Sequence, residues 1–134
     1  MTPRNQEKVF KREYAGELFR IAQGDLQSAT ILASTAGGRS ENSAYMAQQS
    51  VEKALKAVLC WLKIPVPLVH DAGILVAKLP ADLSPPGGYQ LAELTPFATV
   101  RRYEEGSFEL TSEELKQILD QAKLVLDWAG TIIQ

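Results

Sequence analysis

Apolar residues recur at three- and four-residue steps along nearly the whole chain, and no run alternates as a strand would. That period lines side chains along one face of a helix, so it restricts the chain to helices packing on helices. In the first long segment Phe10, Tyr14, Leu18, Ala22, Asp25, Ala29, Leu32 and Ala36 share a face. Gly37-Gly38 are predicted to end it, because glycine takes the left-handed cap conformation without penalty. A second helix is predicted from about Glu41 to Leu62, with Ala44, Ala47, Val51, Leu55, Val58 and Leu62 as its stripe and Pro65 and Pro67 as its stop. A shorter helix is predicted from about Asp71 to Leu79, with Asp71 placed to cap the amides of its first turn. Beyond the Ser84-Pro85-Pro86-Gly87-Gly88 loop, Tyr89 to Glu105 is helical, with a kink or a fresh start at Thr95-Pro96 and a stop at Gly106. Thr111 and Glu114 have capping-box spacing for a last helix, whose stripe is Leu115, Leu119, Ala122, Val125, Ala129 and Ile132. Four or five helices with short loops pack most simply as an all-α, antiparallel up-and-down bundle. The 134 residues fit a single domain, 1–134.

Composition removes several function classes. Fourteen Lys and Arg against sixteen Asp and Glu give a net charge of −2, so a generically basic protein coating nucleic acid is not expected, although a local basic patch remains open. One cysteine, Cys60, makes no internal disulfide, and Cys60 with His70 falls short of the four ligands of a zinc site, so no metal is expected. A single histidine rules out any mechanism that needs two. No stretch of about 18 apolar residues is present, so no membrane span is expected. The first twenty residues mix Arg4, Lys8, Lys11, Arg12 and Arg20 with Glu7, Glu13 and Glu17 and lack the apolar centre of a signal peptide, which makes the cytoplasm the expected address.

Polar residues in apolar register are the candidate site. Asp25 stands in line with Leu18, Ala22, Ala29 and Leu32, where an unpaired carboxylate is costly. The second helix offers partners. With Val51 at the centre of its apolar arc, Gln48, Glu52 and Lys56 fall at about 60°, 100° and 140°, one ridge climbing out of the core. Lys56 follows Glu52 by one turn, the favourable order for an ion pair on a helix. Two outcomes are open: a structural network in which Asp25 bonds Lys56 or Lys53, or a cleft wall made of Asp25, Gln48, Glu52 and Lys56. His70 opens the third helix, where it either caps and packs or gives and takes a proton near neutrality. Arg101-Arg102-Tyr103 end a helix, where cations complement the dipole. Alternatively, an arginine fork grips phosphate there and the tyrosine ring offers a stacking face.

Together these segments resemble the HEPN family (higher eukaryotes and prokaryotes nucleotide-binding). Ala44-Tyr45-Met46-Ala47-Gln48-Gln49-Ser50-Val51-Glu52-Lys53-Ala54-Leu55-Lys56-Ala57 is similar to its second-helix signature. Gly24-Asp25-Leu26-Gln27-Ser28-Ala29 resembles its first helix, His70-Asp71 the His-Asp opening its third, and Leu94-Thr95-Pro96-Phe97 leading to Arg102-Tyr103 the end of its fourth. The likeness spans roughly Tyr14 to Ile133. It implies a helical bundle that is usually a homodimer, and that often accompanies a minimal nucleotidyltransferase in toxin–antitoxin or nucleotide-handling systems. Other members are metal-independent ribonucleases carrying Arg-x(4–6)-His. Here the residues four to seven places before His70 are Lys63, Ile64, Pro65 and Val66, none of them arginine, and no histidine follows Arg101 and Arg102. Glu104 also stands where proline commonly follows Arg-Tyr.

The resemblance thus implies a module without a cofactor that binds a nucleotide, a nucleotidyltransferase partner, or both. Its expected nucleotide-binding residues are Asp25, Gln48, Glu52, Lys56, His70, Arg102 and Tyr103. The alternatives are a metal-independent RNase toxin with a non-standard site, in which His70 and Arg102 are the only catalytic candidates, and a purely structural dimerisation module.

Overall fold

The computed structural model describes residues 6–94 and 110–133. In chain order these form β1 (Glu7–Lys8), α1 (Tyr14–Ser34), α2 (Ser40–Trp61), β2 (Val66–Pro67), α3 (Ala72–Ala77), a 3-10 helix (Gly88–Leu94) and α4 (Ser112–Ile132). The chain is an all-α bundle with one added two-residue strand pair. The helix expected from Tyr89 is a 3-10 helix as far as Leu94, and its continuation through Thr95-Pro96 to Glu105 lies outside the described residues.

Three long helices carry the core. The five-residue link Thr35–Arg39 folds α1 back on α2 as a hairpin, and α4 packs on both, chiefly on α2. A Cβ added to Gly130 would stand 3.3 Å from the Phe19 ring, so the end of α4 lies beside the start of α1. Ala33 and Ser112 line a groove at the other end. Both α2 and α4 therefore run opposite to α1.

Alpha2 is the central helix: thirteen of its residues are buried, on more than one face. Alpha1 buries only Ala15, Ala22 and Ala29, at heptad spacing, where the expected stripe was broader. Methyl-sized side chains let two backbones approach closely. The Ser43 hydroxyl uses that approach to donate to the Ala29 carbonyl at 2.7 Å inside the core. Tyr14, expected on the buried stripe, is instead 39% exposed.

Helix ends follow local chemistry with two departures. Asp71 accepts from the Gly73 and Ile74 amides, and Thr111 with Glu114 completes a reciprocal capping box, both as expected. Alpha1, however, ends at Ser34, ahead of the glycines. Gly37 (φ 88°) makes the turn, and a Cβ on Gly38 would stand 2.5 Å from the Leu32 carbonyl oxygen, so only glycine fits there. Alpha2 ends before its prolines, on Lys63 in the left-handed region (φ 60°). The Ile64 amide donates to the Leu59 carbonyl and the Lys63 amide to that of Cys60, the paired bonds of a Schellman turn.

The sequence carries no strand signal, yet Glu7 and Lys8 pair antiparallel with Pro67 and Val66. The Leu68 amide adds a bond to the Gln6 carbonyl at 2.8 Å. A two-residue pair is too short for alternation to be legible, and the end of the bundle recruits it.

Candidate functional site

Alpha2 builds the site from a single ridge. Gln48, Glu52 and Lys56, four residues apart, stack along it. The Glu52 side chain is 2% exposed, a burial tolerable for a carboxylate only when its oxygens are bonded. They are. Oε1 accepts from Lys56 Nζ at 2.8 Å and lies 2.8 Å from His70 Nδ1, while Oε2 accepts from Gln48 Nε2 at 3.1 Å. Gln48 Oε1 in turn accepts from Gln49 Nε2 at 2.8 Å. Among the described residues no buried side-chain nitrogen or oxygen is left without a partner.

His70 reaches this carboxylate from outside α2, on the segment between β2 and α3 that Asp71 caps. Because an ionised carboxylate only accepts, Nδ1 carries the hydrogen in this contact. In the neutral ring Nε2 is then the free acceptor, on a side chain that is 67% exposed. A buried carboxylate that orients an exposed imidazole can serve proton transfer or hold a ligand's polar group.

Gln48, Glu52, Lys56 and His70 thus come together. Asp25 does not join them: it pairs with Lys53, at 2.6 Å across the α1–α2 seam. The expected single wall therefore divides into two neighbouring ion pairs, Asp25–Lys53 and Glu52–Lys56, on adjacent sides of α2. Arg102 and Tyr103 lie outside the described residues. Gln49, given no role from its spacing, is the residue that orients the Gln48 amide; its place beside Gln48 was the only signal. A groove of about 720 Å³ between α1 and α4 holds none of the described site residues. No helix among the described residues is long and apolar enough to cross a membrane.

Comparison with known proteins bears on family and fold. The HEPN domain family matches residues 15–132, which takes in α1 to α4 and the whole Gln48–His70 network. The crystal structure of TT1696 from Thermus thermophilus superposes with a TM-score of 0.75 at 24% identity, covering 88% of this chain and 97% of that one. At that identity the likeness is one of fold. No curated protein matches the chain in sequence.

Proposed function

The chain belongs to the HEPN domain family, and from that premise we propose that it is a nucleotide-binding module whose ligand sits over the Glu52–Lys56–His70 network. The observation that carries this is the buried Glu52 carboxylate, which holds a lysine and an exposed imidazole on one polar ridge. Lys56 and Arg102 hold phosphate in this proposal, the His70 ring and Tyr103 meet sugar or base, and Glu52, braced by Gln48, fixes Lys56 and His70 from behind while Asp25 holds Lys53 beside them. A minimal nucleotidyltransferase partner, in a toxin–antitoxin-like or nucleotide-handling pair, belongs to the same proposal. So does a homodimer.

The test is calorimetric titration of ATP, GTP and their monophosphates into wild type and Arg102→Ala, beside an RNA degradation assay without metal. Loss of a charge-assisted hydrogen bond worth ~1.5–3 kcal/mol should weaken binding roughly ten- to a hundredfold. No nucleotide binding by the wild type would sink the proposal.

One observation favours an unorthodox ribonuclease as the second candidate: Glu52 fixes the His70 tautomer and leaves Nε2 open. RNA cleavage that disappears in His70→Ala would select it over simple binding.

A further inference from the structure

The residues ahead of Ala15 lie before the span that matches the family, and the described part of them forms a strap across one end of the bundle. The β1–β2 pair, a Glu7–Lys78 ion pair at 2.7 Å and a hydrogen bond from Cys60 Sγ to the Lys11 carbonyl hold it in place. Cations and aromatic rings interleave along it. The Phe10 and Tyr14 rings stack with centroids 5.2 Å apart, the Lys8 ammonium stands 5.0 Å from the Phe10 centroid, and the Arg12 guanidinium lies 3.8 Å from that of Trp61. Lys8, Val9, Phe10, Lys11 and Tyr14 line a groove of about 550 Å³. Lys63, whose amide donates to the Cys60 carbonyl at 3.1 Å, adds a further cation at the turn that ends α2.

The ring contacts place Lys8 and Arg12 but leave their charge uncompensated. Lys11 and Arg12 precede the positive end of the α1 dipole, where cations are disfavoured. Among the described residues Lys8, Lys11, Arg12 and Lys63 have no ion-pair partner, and Glu7 beside them is engaged by Lys78. Tyr14 keeps 39% exposure although Phe10 covers one of its faces, and Val9 keeps 55%. A ligand with negative charge and flat rings would answer both features. Single-stranded nucleic acid has that chemistry, bases to stack and phosphates to pair.

We propose that this strap docks a short single-stranded oligonucleotide, with a base stacked on the open face of Tyr14 and phosphates held by Lys8, Lys11, Arg12 and Lys63. The footprint is a few phosphates, consistent with a chain whose net charge is −2. The proposal stands apart from the nucleotide site over Glu52 and does not rest on it.

Fluorescence anisotropy with labelled oligouridylate and oligothymidylate, about ten nucleotides long to fill one such site, tests it at low and physiological salt. Binding of either strand by the wild type is expected. Tyr14→Ala should weaken it roughly five- to a hundredfold while Tyr14→Phe retains it. The double variant Lys8→Gln/Lys11→Gln, at two exposed side chains that leave the fold intact, should reduce the slope of log K against log salt by about 1.4. The proposal is overturned if the wild type binds neither strand, or if the strap variants all bind as the wild type does. It is also overturned if binding is lost in His70→Ala but kept in the strap variants, which would assign it to the Glu52 site. An oligoglutamate peptide bound as tightly, indifferent to Tyr14→Ala, would overturn it too, marking the strap as a surface for acidic proteins.

Discussion

Glu52 shows how much one residue's surroundings decide. Its carboxylate is nearly inaccessible and is neutralised by Lys56, whose own side chain is only 16% exposed. Lys56→Ala would leave a buried charge unpaired and should cost about 3 kcal/mol in urea denaturation. Lys123→Ala removes one half of an exposed pair with Asp127 and should cost less than about 1 kcal/mol. Equal losses in the two variants would mean that the ridge is solvated. Cys60 gives a pH test at the same scale. Burial pushes its thiol up from the ordinary range, with Lys63 opposing and Glu13 adding to the shift. An acid whose pKa is raised by folding contributes stability that is complete below the unfolded-state value and is lost as pH climbs through the folded one. Wild-type stability should therefore fall above about pH 8.5 by a component that Cys60→Ala lacks, read by denaturation on both sides of that pH.

At the scale of elements, caps and seams differ in how they tolerate change. Thr111 and Glu114 satisfy each other's backbone amides at the start of α4, so Thr111→Ala should lower stability by about 1 kcal/mol. Lys63 holds a left-handed conformation at a position where helices usually place glycine, a strain of about 1 kcal/mol. Lys63→Gly should return most of that strain as a higher melting temperature. The α1–α2 seam behaves in the opposite way. Ala29 is fully buried where the Ser43 hydroxyl of α2 reaches its carbonyl, and Ala29→Leu should cost ~1–3 kcal/mol through overpacking, measured by chemical denaturation.

For the whole molecule the question is assembly. A homodimer remains our proposal, and sedimentation at micromolar concentration should report about twice the 14.7 kDa of one chain. A clean monomer across that range would remove it. Ile31 is 56% exposed beside the groove between α1 and α4, and Leu124, also on α4, is 53% exposed. In this proposal it is the apolar surface that a second chain covers.

The sequence alone determined the three long helices, the Asp71 and Thr111 caps and the α2 ridge, because those depend on spacing within a few residues. Asp71, Thr111 and the Glu52–Lys56 pair could be read from it for that reason. Tertiary structure decided what depends on how helices turn about one another. The rotation of α1 against α2 gave Asp25 to Lys53 rather than to Lys56, and narrowed the α1 stripe to three alanines. The fold alone carried His70 across eighteen residues to Glu52. It also paired Glu7 and Lys8 with Val66 and Pro67, a strap that two-residue strands cannot announce, since pairing across distant segments leaves no local period to detect.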